Sequence, residues 1–387
     1  VRLFTNYFGD SFVITGVTLT AVFLGLAFGA WTSARFLRHL GLIEITIGLY
    51  AFAAGWGLSI GGFEIAAWGG VPALNALKLG LLLGMPAFLI GTCVPLFAAY
   101  ARGAGPNARP VFTRIYALYN FGAFLSVLAI EFVLFRSFGL KATLSIIGTL
   151  NLLVGTCLLL QGHQRITSQN LPGAVRLDRR IALALFLGSF ASGVFQLWML
   201  RLSFALFGPL NENFAILLAA AILGVALGAS LAARGTLHLE ETLIGLALAM
   251  LVIVIAVPGV ISLWSRAAGG DLSDEGEVLI KVLLLGGLPL PAFVLLGALV
   301  PLAVSAEANE TASQAGRLLA LSSLGNGLGA LAMFLALYWL LDLPTIAIVC
   351  SALLAGAALV VEGGKGRPLT LFYGGLIAAS LIFAGVQ

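Results

Sequence analysis

The sequence predicts an all-α polytopic membrane protein of about 12 transmembrane helices. They form two parallel six-helix repeats, with the first helix of repeat 1 missing, plus one C-terminal helix. Three observations carry this expectation. Sixty per cent of the 387 residues are hydrophobic and 9% are charged, where a soluble chain carries about 25% charge. Apolar runs of roughly 20 residues, the length that crosses a bilayer, recur from one end of the chain to the other. The landmarks of the first half return in the second half in the same order, which marks a duplication.

Spans are expected at 11–33, 41–62, 74–101, 111–136, 140–162, 181–207, 212–233, 241–264, 278–304, 314–340, 343–361 and 368–386. Only helices or closed barrels satisfy the backbone in lipid, and the unbroken apolar runs exclude barrel strands. Pro86, Pro95, Pro289, Pro291 and Pro301 break corresponding spans of the two halves. Such broken helices either border a substrate cavity or simply kink to pack.

Residues 2–35 align without gaps on 201–234, matching Arg2 with Arg201, Gly25 with Gly224, Gly29 with Gly228 and Arg35 with Arg234. Further on, Glu44 answers Glu241, Pro95 answers Pro301, Arg114 answers Arg317 and Lys78 answers Lys281. The opening VRLFTNYFGD therefore matches LRLSFALFGP at 200–209, which closes a span. Six spans follow in the second half and five in the first, so Val1 is expected to be an internal residue of a longer protein; a GTG start is the alternative. The expected organisation is repeat 1 over 1–162, a basic linker over 163–180, repeat 2 over 181–362 and the extra C-terminal helix over 363–387.

Of the 20 lysines and arginines, most fall on the side that carries Arg35, Arg38, Arg102, Arg109, Arg114, the Arg176–Arg180 cluster, Arg234 and Arg317. That bias places the linker 163–180 in the cytoplasm, with the bacterial inner membrane as the expected location. The net charge of +4 follows from this topology and calls for no nucleic acid. Cys93, Cys157 and Cys350 are scattered through the spans, which argues against a disulfide framework. His39, His163 and His238 sit in loops. No cofactor, metal site or catalytic residue is expected, and with no converging nucleophile and base the chain reads as a non-enzyme.

Several stretches taken together, FGDSFVITGVTLTAVFLGLAFGAW, LIEITIGLYA, LIGTCVPLFA, RIYALYNFGA and FRSFGLKATLSIIGTLNLLVG, resemble the membrane region of fused spermidine synthase-like proteins. The resemblance covers nearly the whole chain. It implies membrane location and repeat architecture. Two departures stand out: the soluble aminopropyltransferase-like domain is absent from the sequence, and Asn120 falls one place later than the family's asparagine. The stretch Gly25-x-x-x-Gly29-x-x-x-x-x-Arg35 also resembles the loop after the second helix of major facilitator transporters, without that motif's aspartate.

Candidate functional residues follow from polar groups in apolar surroundings. Arg35 with Glu44, and Arg234 with Glu241, are expected either to form a cytoplasmic gate or to serve as snorkelling arginines and helix-start glutamates. Glu131 lies inside LSVLAIEFVLF, and an intramembrane acid is by default a functional-site candidate. It binds a proton, cation or partner subunit in one reading and pairs with Arg136 or Lys141 in the other. Lys78 and Lys281 attract an anion or reach the interface. Gln196 and Arg201 contact substrate or belong to an interfacial belt. Two functions remain open: a transporter moving a small polar or cationic metabolite between the helical halves, or a non-catalytic membrane subunit packed with other membrane subunits in a larger complex.

Overall fold

The computed structural model describes residues 11–60, 72–102, 111–161, 177–208, 211–268, 274–306 and 312–362. These residues form helices and no strands. Helix α1 is Ser11–Thr32, followed by a 3-10 turn at Ser33–Phe36. It is followed by α2 (Leu40–Ile60) and α3 (Pro72–Arg102). Helix α4 (Val111–Leu128) runs through a π turn at Ala129–Leu134 into α5 (Phe135–Leu160). The second set comprises α6 (Arg179–Phe207), α7 (Asn211–Ala233) and α8 (Leu239–Ala268). Short α9 (Asp274–Lys281) passes through a π turn into α10 (Leu290–Ala306). Last come α11 (Ala312–Ala332), with a π turn at Met333–Leu337, and α12 (Leu343–Glu362).

Among the described residues, ten stretches are long and apolar enough to cross a membrane. One of them, Val111–Leu160, has 50 residues, about 75 Å of helix at 1.5 Å per residue, more than twice the hydrocarbon thickness. Gly139 breaks it with φ 73°, a conformation open to glycine, and so divides the stretch into the two expected spans. Eleven of the twelve expected spans thus lie among the described residues; the twelfth, 368–386, lies outside them, as do residues 1–10 and most of the linker. Side-chain caps start two helices. Asp178 accepts the Arg180 amide (2.8 Å) ahead of α6, and Asp342 accepts the Thr345 amide (2.9 Å) ahead of α12. The bonds from Thr345 hold the Asp342 carboxyl below the usual carboxylate range.

The repeat is visible in the packing. Helix α1 lies on α3 as α7 lies on α10, and α2 lies on α5 as α8 lies on α12. Across the middle, α1 meets α11 and α4 meets α7. The first pair of crossings is backbone to backbone. A Cβ at Gly29 would collide with the Phe88 carbonyl, and one at Gly228 with the Val294 carbonyl. From the facing helix, Gly91 abuts Leu26 and Gly297 abuts Val225. Lipid tails are as apolar as leucine, so helices associate through such close packing, and glycines four apart supply it here.

One element of the second set has no described equivalent in the first. Helix α6 fills the centre of the large core, burying Leu185, Leu197, Met199 and Leu200 among others. It packs on α11, where Gly325 faces the Phe186 carbonyl and Gly329 the Phe190 carbonyl. On α4, the repeat equivalents Gly122 and Ser126 are exposed, and Gly122 has open space around it.

Gly29→Ala and Gly228→Ala should each lower the thermal midpoint in detergent, by the equivalent of about 1–3 kcal/mol for overpacking. Gly122→Ala should match or exceed the parent protein because alanine favours helix. A loss at Gly122 as large as the one at Gly29 would mean that a helix also sits on α4.

Candidate functional site

A cavity of about 320 Å³ opens between α1, α3 and α4 on one side and α6, α7, α10 and α11 on the other. Helical spacing accounts for its polar wall. Ser189, Ser192 and Gln196 fall on one face of α6; Ser322, Ser323 and Asn326 on one face of α11; Tyr116, Tyr119 and Asn120 on one face of α4, since residues three and four apart share a side of a helix. Leucine, valine, isoleucine and phenylalanine side chains, Phe23 and Phe293 among them, make up most of the remaining surface.

Most of the polar groups bond to one another. The Ser189 and Ser322 hydroxyls meet at 2.8 Å. Gln196 Nε2 donates to Ser192 Oγ (3.2 Å), Asn120 Nδ2 to the Tyr116 carbonyl (2.8 Å) and Asn326 Nδ2 to the Ser322 carbonyl (3.1 Å). Asn326 Oδ1, buried in the same wall, has no hydrogen-bond partner among the described residues. The described lining residues carry no charge.

The candidate residues from the sequence divide sharply. Gln196 lines the cavity. Arg201, five residues on, does not; its guanidinium stands 3.3 Å from the Tyr338 ring centre and 5.5 Å from that of Phe12, joining α6, α1 and the turn after α11. Glu131 sits in the π turn after α4, partly exposed and away from the cavity. Its two suggested partners are engaged elsewhere: Arg136 reaches Glu212 (3.8 Å) and rests over Phe132 (5.3 Å), and Lys141 covers Trp56 (4.2 Å).

Lys281 is not free for an anion. Its side chain is 3% exposed and bridges Glu212 (2.9 Å) and Glu277 (2.6 Å). A charge taken out of water in this way needs a counter-charge, and two carboxylates provide it. Lys78 belongs to the first turns of α3, and its side chain lies outside the described residues.

The two arginine–glutamate pairs are not brought together. Glu44 turns inward, is buried, and bonds the Cys93 thiol beside Tyr119 of the cavity wall, while Arg35 is exposed. Glu241 meets His238 Nδ1 (3.2 Å), just ahead of α8, and Arg234 is exposed. No group of three or more His, Cys, Asp or Glu among the described residues is placed to hold a metal ion.

Sequence reasoning passed over the serine, tyrosine and asparagine stripes. The signal was present: Ser189-x-x-Ser192-x-x-x-Gln196 and Ser322-Ser323-x-x-Asn326 put small polar groups on single faces of apolar helices. Glu212, which joins Arg136 to Lys281, was also missed, because its partners lie far away in the chain.

No protein-family model matches the chain, and no curated protein matches it. Among solved structures, a nucleoside transporter, NupG, is 14% identical with a TM-score of 0.51, covering 92% of this chain and 94% of that one. FucP, a major facilitator superfamily transporter in the outward conformation, is 14% identical with a TM-score of 0.46, covering 92% and 100%. A human organic anion transporter is 17% identical with a TM-score of 0.49, covering 89% and 83%. The chain therefore shares its fold with the NupG structure.

Lys281→Met should leave Glu212 and Glu277 facing each other without their shared cation. It should cost about 3 kcal/mol or more, as expected when a buried pair loses one partner. Arg136→Ala, at a largely exposed site, should cost no more than about 1 kcal/mol. Thermal unfolding of the two variants in the same detergent checks the order.

Proposed function

We propose that the protein carries a small polar metabolite across the membrane by alternating access, with the cavity as its solute site. The observation that carries this reading is the cavity itself, a largely apolar space with stripes of serine, tyrosine and amide side chains at mid-helix depth between two helix sets related by a repeat. In this reading residues 1–162 and 181–362 are the two moving bodies, 163–180 is the basic cytoplasmic link and 363–387 adds one further helix. The membrane is the bacterial inner membrane, with the arginine-rich end inside.

Alternating access needs seams that can open at one end while closing at the other. The α1–α11 and α4–α7 contacts are the natural seams. At the end opposite Arg35, Arg136 and Glu212 span the α4–α7 side, and in this reading they form an outer latch. At the Arg35 end, Gly316 of α11 approaches Ser33 and the Ala30 carbonyl so closely that a Cβ would stand 2.8 Å from each. Of the residues expected from sequence to touch the solute, Gln196 is the one we assign to it. Glu131, Arg35 and Arg234 have no role in the reading.

The second reading is a non-catalytic membrane subunit, packed with other membrane subunits in a larger complex. Kinship with the membrane region of spermidine synthase-like proteins rests on the sequence landmarks alone.

A single cysteine at Ser322, in a background free of Cys93, Cys157 and Cys350, distinguishes the two readings. The transporter reading expects a membrane-impermeant thiol reagent to reach it from each side of the membrane in turn, with bulky modification stopping flux. A thiol sealed from both sides would contradict transport.

A further inference from the structure

We infer that the cavity selects an uncharged solute that carries a hydrogen-bond donor, and that Asn326 is the residue that recognises it. This inference rests on the transport reading and narrows it, because the small polar metabolite is then a neutral polyol, sugar or amide and not a cation.

The argument begins with charge. The described walls present three amides, four serines and two tyrosines but no acid and no base. A cation or anion entering a space at mid-helix depth loses its hydration, and without a counter-charge in the wall that loss is not recovered. The two charge clusters nearby do not help. Lys281 is neutralised by Glu212 and Glu277 at the far end of α7, and Glu44 bonds Cys93 behind the wall.

The second step is the sense of the hydrogen bonds. The amide nitrogens of Asn120, Gln196 and Asn326 each donate one bond within the protein, while the Asn326 oxygen accepts none among the described residues. Asn326 Oδ1 is buried without a donor, and such orphaned acceptors are rare in folded proteins because water has been removed and nothing replaces it. A solute hydroxyl or amide N–H supplies the missing donor. The aromatic side chains of Phe23, Tyr116 and Phe293 give the same solute a flat apolar surface, the other half of a small-molecule site.

A site built to bond a donor rejects analogues without one much more strongly than a hydrophobic site rejects a change of size. Asn326→Leu keeps the approximate volume and removes the acceptor. The test uses the full chain in nanodiscs and in proteoliposomes, with a polyol (sorbitol), a monosaccharide (galactose) and a nucleoside (uridine) as neutral probes. Spermidine and citrate serve as the charged ones. Thermal stabilisation and counterflow exchange are read for each probe.

The expected result is stabilisation and exchange with at least one neutral probe, none with spermidine or citrate, and at least about tenfold weaker binding of that probe to Asn326→Leu. The variant should unfold at or above the parent's midpoint without ligand, since it relieves a buried orphan. Exchange of spermidine or citrate in preference to the neutral probes would overturn the inference and leave transport standing. Neutral binding unaltered by Asn326→Leu would overturn the role of Asn326. Failure of every probe, with a cysteine at Ser322 sealed from both sides, would instead remove the transport reading on which the inference rests.

Discussion

Helix crossings without a side chain between the backbones, two of them related by the repeat, hold this structure together. At Gly29 on Phe88 and Gly228 on Val294, the carbonyl of one helix occupies the space a Cβ would need. In water such a contact would be a minor part of a large apolar burial. In a bilayer, burial offers little, and close van der Waals approach is what brings helices together. Fixing α1 on α3 and α7 on α10 sets the tilt of four helices, and those four helices line the cavity on opposite sides. The solute space therefore depends on glycines that do not touch the solute.

Polar chemistry is kept apart from those two crossings. Buried Lys281 is paired with two glutamates, and buried Glu44 bonds the Cys93 thiol. The cavity uses uncharged groups in helical stripes instead, and these bond to one another across α6 and α11 through Ser189 and Ser322. The Ser189–Ser322 bond lies within the second helix set, at the α6–α11 crossing.

The fold class was legible in the sequence because bilayer thickness and backbone hydrogen bonding leave few solutions, and because the repeat supplied a second reading of every landmark. Gly25, Gly29 and their partners Gly224 and Gly228 could be aligned by eye. Spans 111–136 and 140–162 were separable because Gly139 follows an apolar run too long for one crossing. The candidate site was much less legible. Charged residues stand out in an apolar sequence, so attention fell on Glu131, Arg35 and Lys281, yet Arg35 faces outward, Glu131 lies off the cavity, and Lys281 is consumed by a pair whose second carboxylate is 69 residues away. The cavity residues are serines, tyrosines and amides that look unremarkable singly. They become a site only when α4, α6 and α11 are brought face to face, and that is tertiary information. Gln196 was found because it lies beside an aromatic and basic helix end, not because its neighbours Ser189 and Ser192 were recognised.

The central claim is that the two helix sets move against each other around the cavity. Distance measurement by pulsed electron spin resonance tests it most directly. One pair of spin labels would replace His39 and His238 at the arginine-rich end, and another Ser137 and Ser265 at the opposite end. All four positions are exposed. The account predicts two populations at each end, with one pair lengthening as the other shortens when a transported solute is added. A single distance at each end, unchanged by solute and by pH, would contradict it and leave the chain as a static membrane subunit.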